Sequence, residues 1–347
     1  MPPDARPLSG VRVIDLGWIT AGAGTSTMLA DLGAEVIKIE GPGAPDPFRE
    51  WESAANDADW WNRSPFFAST NHDKRSLCLD LKADPGRAVL FRLLEGADVL
   101  VENFRRGVLA SFGLDPATLR ERFPRLVVAA ISSQGETGPD RDMVSYGSTL
   151  EATAGLAALT GAGDKPVITG RDVNYPDQVV CLFAPGAIIA ALLERERTGR
   201  GAHLDLSQRE LTTFLIGEEV LAAAAGAPTV RRGNHDPLHP QEKIVRDGAD
   251  WLVVNGATRT PVRDAAALIE APEFKNGTAI GVTLDGRPAK GIPFRFGKRR
   301  LAVRQGCRPL GADNAAVLAE IGYSERDIAD LQASGVIATA PRRKNTV

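Results

Sequence analysis

The chain has 347 residues, of which 43% are hydrophobic and 24% are charged, a balance typical of a folded globular protein. Its 41 basic and 44 acidic residues give a net charge of −3, which argues against a nucleic-acid-binding function because that function requires a strongly basic surface. The length predicts one large core with a smaller one beside it.

The first 131 residues alternate between strand and helix patterns. Strands are predicted at residues 11–15, 36–40, 98–102 and 126–131, and helices at 25–32, at 84–95 and after the capping pair Asp115-Pro116. Asp84 is predicted to cap the second of these helices. Strands that alternate with helices at this spacing predict a parallel sheet covered on both faces.

The pattern changes in the second half of the chain. Helices are predicted at residues 147–160, 177–197 and 207–225, with a strand at 203–207. After Gly226 the sequence indicates a hairpin around Asp247-Gly248 and a short helix at 262–269. A capping box begins a last helix at residues 324–327. We therefore predict three regions, a large one at 1–225, a small α+β domain at 226–290 and a C-terminal segment at 291–347.

Targeting signals are few. Residues 1–10 carry no basic region followed by an apolar core, so we predict no secretory signal. The apolar stretch at 181–193 contains Pro185 and Gly186 and is short for a membrane span. Cys78, Cys181 and Cys307 are far apart and form no CxxC pair. These features predict a cytoplasmic protein with reduced thiols that does not bind membranes.

A nicotinamide site is a weak alternative. Gly22-Ala-Gly24 lies between a strand and a helix, as in dinucleotide-binding loops. However, Thr27 stands where a third glycine is expected, and Gly22 follows Asp15 by seven residues instead of directly. The close backbone approach that a pyrophosphate requires is therefore only half provided.

A metal site is also weakly indicated. His235 and His239 are four residues apart, a spacing that places two ligands on one face of a helix. Pro237 and Pro240 argue against a helix here, so we interpret both histidines as loop residues. The sequence lacks GxSxG, P-loop and HExxH motifs, which argues against the common hydrolases and nucleotidases.

Asp177 is the carboxylate of greatest chemical interest. It follows Tyr175-Pro176 at the start of a long, nearly uncharged helix. The helix N-terminus favours the ionised carboxylate and so keeps it available as a nucleophile. Acidic residues are also common in the first turn of ordinary helices. The local sequence alone therefore favours a structural role for Asp177.

Several segments, read in order, resemble the class III CoA-transferases of the CaiB/BaiF type. They lie at residues 8–16, 30–43, 71–82, 97–109, 135–139, 190–201 and 322–337. The strongest is the run Glu-Arg-Glu-Arg-Thr-Gly-Arg-Gly at 194–201. The resemblance implies an α/β fold in which a Rossmann-like large domain binds CoA and a smaller α+β domain accompanies it.

The resemblance also implies a reaction. It identifies Asp177 as the nucleophile of an enzyme that moves CoA from an acyl-CoA to a free carboxylic acid, with no permanently bound cofactor. Aspartyl anhydride and aspartyl-CoA thioester intermediates would divide one difficult exchange into easier steps. An α-methylacyl-CoA racemase is less favoured, because Tyr146 stands where that chemistry needs a histidine.

The resemblance further implies a set of CoA contacts. These are Thr20, Ala21, Leu79, Asp80, Leu81, Lys82, Asn103, Phe104 and Arg105. Lys82 and Arg105 could pair with phosphate, and Phe104 could offer a flat apolar surface to adenine. Without the resemblance these residues are interpreted as surface charges and a core phenylalanine.

The implied assembly is an interlocked homodimer, in which two ring-like chains pass through each other. The small domain of this chain is short for the family, since Trp251 to Val254 is followed almost at once by Pro261. A heterodimer with a paralogous subunit, with this chain non-catalytic or dependent on its partner, is therefore the alternative.

Overall fold

The main sheet has six strands, all parallel. The computed structural model describes residues 6–53, 58–163, 165, 173–235, 238–272, 280–282 and 288–342. The strand order across the sheet is β3-β2-β1-β4-β5-β6. The strands are β1 Arg12–Asp15, β2 Glu35–Glu40, β3 Arg75–Cys78, β4 Val99–Glu102, β5 Val127–Ser132 and β6 His203–Ser207.

Helices cover this sheet on both faces. In the first half of the chain they are α1 Ala21–Asp31, α2 Pro65–Asn71, α3 Asp84–Glu95, α4 Val108–Ser111 and α5 Pro116–Arg122. In the second half they are α6 Gly147–Thr153, α7 Leu156–Leu159, α8 Tyr175–Thr198, α9 Gln208–Phe214, α10 Gly217–Ala224, α11 Ala265–Glu270, α12 Asn314–Glu320 and α13 Glu325–Ala333.

The two faces of the sheet bury two separate apolar clusters. Successive strand residues point to opposite faces, so Val13 and Ile14 belong to different clusters. Ile14 lies in register with Ile37 and packs beneath α3, α5, α12 and α13. Val13 lies in register with Val36 and packs beneath α1 and α8. The predicted parallel sheet with helices on both faces is thus confirmed.

Some local predictions were wrong. The helix predicted at 147–160 is two short helices, α6 and α7, separated by Gly155, whose φ of 91° does not continue a right-handed helix. The helix predicted at 207–225 is likewise divided into α9 and α10. Asp84 lies inside α3, whose N-cap is Ala83. The capping box at Ser324 and Asp327 is confirmed.

The region after Gly226 contains smaller antiparallel sheets. One consists of β7 Glu242–Asp247, β8 Asp250–Asn255 and β9 Thr258–Pro261, and it includes the predicted hairpin at Asp247-Gly248. The other pairs β10 Ile280–Val282 with β11 Pro288–Lys290. Lys290 Nζ donates to Gln178 Oε1 on α8 over 2.7 Å, which ties the second pair to the large domain. The domain boundaries at 225 and 290 stay a prediction.

Helix α8 is the longest element, with 24 residues. By length and composition it is apolar enough to cross a bilayer, but 56% of its most apolar stretch is buried within the protein. It packs on α1 and on the main sheet. This burial is typical of the core helix of a folded domain.

Candidate active site

The strand order creates a crevice at one edge of the sheet. The chain runs outward from β1 to β2 and β3, then returns to β4 on the other side of β1. In open parallel sheets of this kind, ligands bind at the carboxyl ends of the two strands where the order reverses. Here those strands end at Asp15 and Glu102. Asn103 follows β4 directly, whereas Thr20 ends the loop after β1 and Ala21 begins α1.

Side chains fix the loop after β1, residues 16–20, which we call the switch loop. The Trp18 N–H donates to Asn103 Oδ1 over 2.7 Å, and Asn103 Nδ2 donates back to the Trp18 carbonyl over 3.1 Å. The Gly17 N–H donates to Asp15 Oδ1 over 2.8 Å, and the Ile19 N–H donates to both Asp46 oxygens. Ile19 has a φ of 59°, a strained value that these bonds hold in place.

Buried ion pairs support the switch loop from below. Lys38 Nζ lies 3.0 Å from Asp46 Oδ2 and also donates to the Gly17 carbonyl. Lys74 Nζ lies 2.9 Å from Asp15 Oδ2 and donates to the Ala23 carbonyl. Burial lowers the pKa of Lys74 to about 8. Burial also acts to lower the pKa of Lys38, but the nearby carboxylates raise it above its ordinary value.

Two positions at the start of α1 require glycine because neighbouring atoms pack too closely for a side chain. A Cβ on Gly22 would lie 2.5 Å from the Gly17 Cα and 2.7 Å from Asn103 Oδ1. A Cβ on Gly24 would lie 2.5 Å from Cys181 Sγ. These glycines therefore let α1 approach both the switch loop and α8, an explanation that involves no pyrophosphate.

Asp177 lies in the first turn of α8 with only 7% of its surface exposed. Gln208 Nε2 donates to its Oδ1 and Asn174 Nδ2 donates to its Oδ2. Burial raises the pKa of Asp177 to about 6, against the opposing effect of these two donors. The carboxylate is therefore mostly ionised at pH 7, yet it is less acidic than an exposed aspartate.

Packing brings Asp177 beside the switch loop. Cys181, one turn further along α8, places its Sγ 3.2 Å from the Thr20 carbonyl. Four helical residues correspond to about 6 Å along the axis. Asp177 is therefore a neighbour of Cys181 on one face of α8, and Cys181 contacts the start of α1, where Thr20 and Ala21 are found.

The other predicted contacts lie along the same edge of the sheet. Leu79, Asp80, Leu81 and Lys82 follow β3, which is three strand spacings, or about 14 Å, from β4. Lys82 and Arg105 are exposed, whereas Asp80 pairs with Arg342 over 2.8 Å. Phe104 is half-buried and contacts Trp18 and Phe112 edge-on. The predicted residues therefore lie along one edge of the sheet, but Leu79 is fully buried in the apolar core and Thr20 and Ala21 are almost fully buried.

Several residues of this site were not predicted from the sequence. Gln208 and Asn174 were not proposed, because nothing in their local sequence points to a carboxylate. Asp46 was missed for the same reason. Lys38 carried a signal, since a lysine inside the apolar run of β2 must find a buried partner.

A cavity with a volume of about 780 Å³ opens at the opposite edge of the sheet, where the strands begin. It is lined by the amino ends of β1 and β2 and by charged side chains such as Arg12, Glu35 and Arg304. Asp177 does not line it. We therefore assign the candidate active site to the carboxyl edge.

Comparisons with known proteins indicate the family of this chain. The chain is 37% identical over 258 residues to the succinate–glutarate CoA-transferase of Agrobacterium fabrum, covering 73% of this chain and 64% of that protein. It is 35% identical over 280 residues to the succinyl-CoA–D-citramalate CoA-transferase of Chloroflexus aurantiacus, covering 79% of this chain and 67% of that protein. The chain thus spans about two thirds of the length of these relatives.

A solved structure and a family model extend the comparison. A CAIB/BAIF family protein from Brucella suis superimposes with a TM-score of 0.83 at 24% identity, covering 91% of this chain and 99% of that one. This likeness shows the shared fold. The family model described as CoA-transferase family III matches residues 8–314. The resemblance noted in the sequence is thereby confirmed, and the chain belongs to CoA-transferase family III.

Proposed function

We propose that this chain transfers CoA from an acyl-CoA to a free carboxylic acid, with Asp177 as the nucleophile. The observation that carries the proposal is a buried carboxylate, ionised at neutral pH, at a helix N-terminus beside the switch loop. No other carboxylate named for the crevice combines these properties: Asp15 is paired with Lys74, and Asp80 with Arg342. Asp177 is therefore the group prepared for covalent catalysis.

The proposed reaction proceeds through two kinds of intermediate. An Asp177 oxygen attacks the thioester carbon, CoA thiolate leaves, and a mixed anhydride forms. The thiolate then attacks Asp177 Cγ, which releases the first carboxylic acid and leaves an aspartyl-CoA thioester. The acceptor carboxylate repeats these steps in reverse and leaves as the new acyl-CoA. No net proton or electron is required.

The CoA moiety is proposed to follow the carboxyl edge of the sheet. The switch loop with Thr20 and Ala21 would hold the thioester end near Asp177. Asn103, Phe104 and Arg105 would lie against the middle of the ligand, and residues 79–82 would receive a phosphate-bearing end. The exposed charges of Lys82 and Arg105 support this placement.

The substrates are proposed to be short dicarboxylic acids and their thioesters. Both relatives described above carry succinate or succinyl-CoA in their names, together with a second dicarboxylic acid. The ammonium of Lys290 donates to Gln178 Oε1 on α8, so a positive charge lies at the first turns of the helix that carries Asp177. We propose succinyl-CoA as the donor and glutarate as the first acceptor to test.

A second copy of the chain is the proposed partner. Apolar side chains of α8, α9 and α10 are widely exposed and form one candidate interface, with Phe214 68% and Leu221 72% exposed. Its members are Leu182, Phe183, Leu193, Phe214 and Leu221. Burial of such a patch stabilises association. We expect light scattering to give the mass of a dimer, which we propose is interlocked. A monomeric mass would favour assembly with a different, paralogous subunit.

The pH dependence of exchange tests the role of Asp177. Formation of glutaryl-CoA from succinyl-CoA and glutarate is measured by chromatography between pH 5 and 8. Since the attacking carboxylate must be ionised and its pKa is about 6, kcat/KM should fall about tenfold per pH unit below that value. A rate that stays constant down to pH 5 would contradict the proposal. Glutarate also titrates within this range, so the quantity to measure is kcat/KM for succinyl-CoA, which reports the first half-reaction and does not involve the acceptor.

A further inference from the structure

We propose that the two oxygens of Asp177 have fixed and different roles, with Oδ1 remaining on the protein through every turnover while Oδ2 attacks and departs. The inference deepens the proposed function and rests on it. It assigns to Gln208, the donor to Oδ1, a catalytic role that the sequence did not indicate.

Gln208 is held on a rigid frame. It is the first residue of α9, directly after β6 of the main sheet, and it is buried. Ser207 caps α9 through the Glu210 N–H, and the Thr212 hydroxyl donates to the Gln208 carbonyl over 2.8 Å. The amide of Gln208 therefore donates its hydrogen bond to Asp177 Oδ1 from a fixed position.

Asn174, the donor to Oδ2, has an incompletely hydrogen-bonded amide. It precedes α8, is half-buried, and its own Oδ1 has no hydrogen-bond partner among the described residues. The Asn174 amide packs against Gly147: a Cβ added to Gly147 would lie 2.4 Å from Asn174 Cγ. Because the Asn174 oxygen has no partner that would oppose a turn of the amide, this donor can release Oδ2 when a substrate carbon approaches. The two donors thus differ: Gln208 is fixed at the start of a capped helix, whereas the Asn174 amide is held through its nitrogen alone.

If only Oδ2 attacks the donor, the bonds broken in each turnover determine which Asp177 oxygen leaves and which remains. When Oδ2 attacks the donor, it becomes the bridging oxygen of the anhydride. When thiolate then attacks Cγ, the Cγ–Oδ2 bond breaks and Oδ2 leaves in the released carboxylate. The aspartyl thioester keeps only Oδ1. An oxygen of the acceptor carboxylate later attacks Cγ, expels thiolate, and stays on Asp177 as the new Oδ2.

Negative charge therefore develops on Oδ1 in two steps. The attack of thiolate on the anhydride and the attack of the acceptor on the thioester both produce a tetrahedral centre at Cγ whose oxyanion is Oδ1. The Gln208 N–H points at this atom. A donor already in place at a developing oxyanion stabilises the transition state without reorganisation.

Oxygen labelling tests the inference in the unaltered protein. The protein is incubated for many turnovers with succinyl-CoA and excess succinate carrying ¹⁸O in both carboxylates. It is then digested, and the peptide containing Asp177 is weighed by mass spectrometry. Fixed roles predict one labelled oxygen on Asp177, however long the incubation. Two labelled oxygens would show that the carboxylate turns over between cycles and would overturn the inference. An unlabelled Asp177 would instead overturn the proposed nucleophile itself.

Two variants separate the donors. Gln208→Ala should lower kcat by about 100-fold while changing the KM for succinyl-CoA little, and it should allow two labelled oxygens to accumulate. Asn174→Ala is the matched control: it also removes one amide donor to Asp177, but it should keep the limit of one labelled oxygen. An unchanged kcat in Gln208→Ala would contradict the role assigned to Gln208.

Discussion

Replacing Asp177 with asparagine is expected to abolish CoA transfer and, at the same time, to stabilise the folded protein at pH 8. The asparagine amide cannot attack a thioester, so the covalent route is closed. The gain in stability arises because a buried carboxylate at 7% exposure is less well solvated than in the unfolded chain. The neutral amide avoids this cost: its oxygen can accept from Gln208, and its NH2 can donate to the unpaired Asn174 Oδ1 once the Asn174 amide turns over.

The sign and size of this change in stability follow from the pKa of Asp177. Because folding raises the pKa of Asp177 from 3.8 to about 6, the native state binds more protons than the unfolded state between these values. The free energy of unfolding therefore falls as pH rises from about 4 to 6. The difference corresponds to about 3 kcal/mol at pH 8. At pH 4 the native and Asp177→Asn proteins should have nearly equal stability.

Urea unfolding at pH 4 and pH 8 measures this effect. Asp330→Asn in α13 makes the same chemical change at an exposed position and should alter the free energy of unfolding by less than about 0.5 kcal/mol at either pH. A loss of stability in Asp177→Asn at pH 8 would mean that the carboxylate serves the fold. That result would return Asp177 to the structural role that its local sequence favours.

Replacing Lys38 with methionine should have the largest effect on stability. The Lys38 ammonium is fully buried, pairs with Asp46 and donates to the Gly17 carbonyl. Removing one partner of a buried pair leaves an uncompensated charge, which costs about 3 to 5 kcal/mol. The loss should also free Asp46 from its position under Ile19, so that exchange activity falls with stability.

The control for this variant is Lys82→Met. It removes the same charge from an exposed residue, so the free energy of unfolding should change by less than about 0.5 kcal/mol. Lys82 is a proposed phosphate contact. The KM of Lys82→Met for succinyl-CoA should therefore rise, while its kcat stays close to that of the native chain. If Lys38→Met unfolded at the same urea concentration as Lys82→Met, the buried pair would not be supporting the switch loop.

Local patterns predicted much of the fold because the large domain alternates strands and helices with strong periodicity. Strand β3 was missed because Arg75 and Ser76 leave it only two apolar residues, Leu77 and Cys78, which form no strand pattern. Helix α12 was missed as well, since its seven residues are mostly small. The strand order across the sheet depends on long-range pairing, which periodicity does not encode.

The site was only partly predictable for a similar reason. Asp177 stands at a recognisable helix start, and the resemblance of the flanking segments selected it. Gln208 reaches it from 31 residues further along the chain, and only the packing of α9 against α8 brings the two together. Lys38 could have been recognised, because a charged residue inside a buried strand requires a partner, but its pairing with Asp46 depends on how the loop after β2 folds back.

In the proposed function, Asp177 becomes covalently attached to CoA during each turnover. The most direct measurement is to mix the purified protein with succinyl-CoA in the absence of an acceptor, quench with acid, digest, and analyse the peptides by mass spectrometry. We expect a CoA thioester on the peptide that contains Asp177, and its loss after addition of glutarate with formation of glutaryl-CoA. Consumption of succinyl-CoA in exchange with glutarate while the Asp177 peptide remains unmodified would contradict the account.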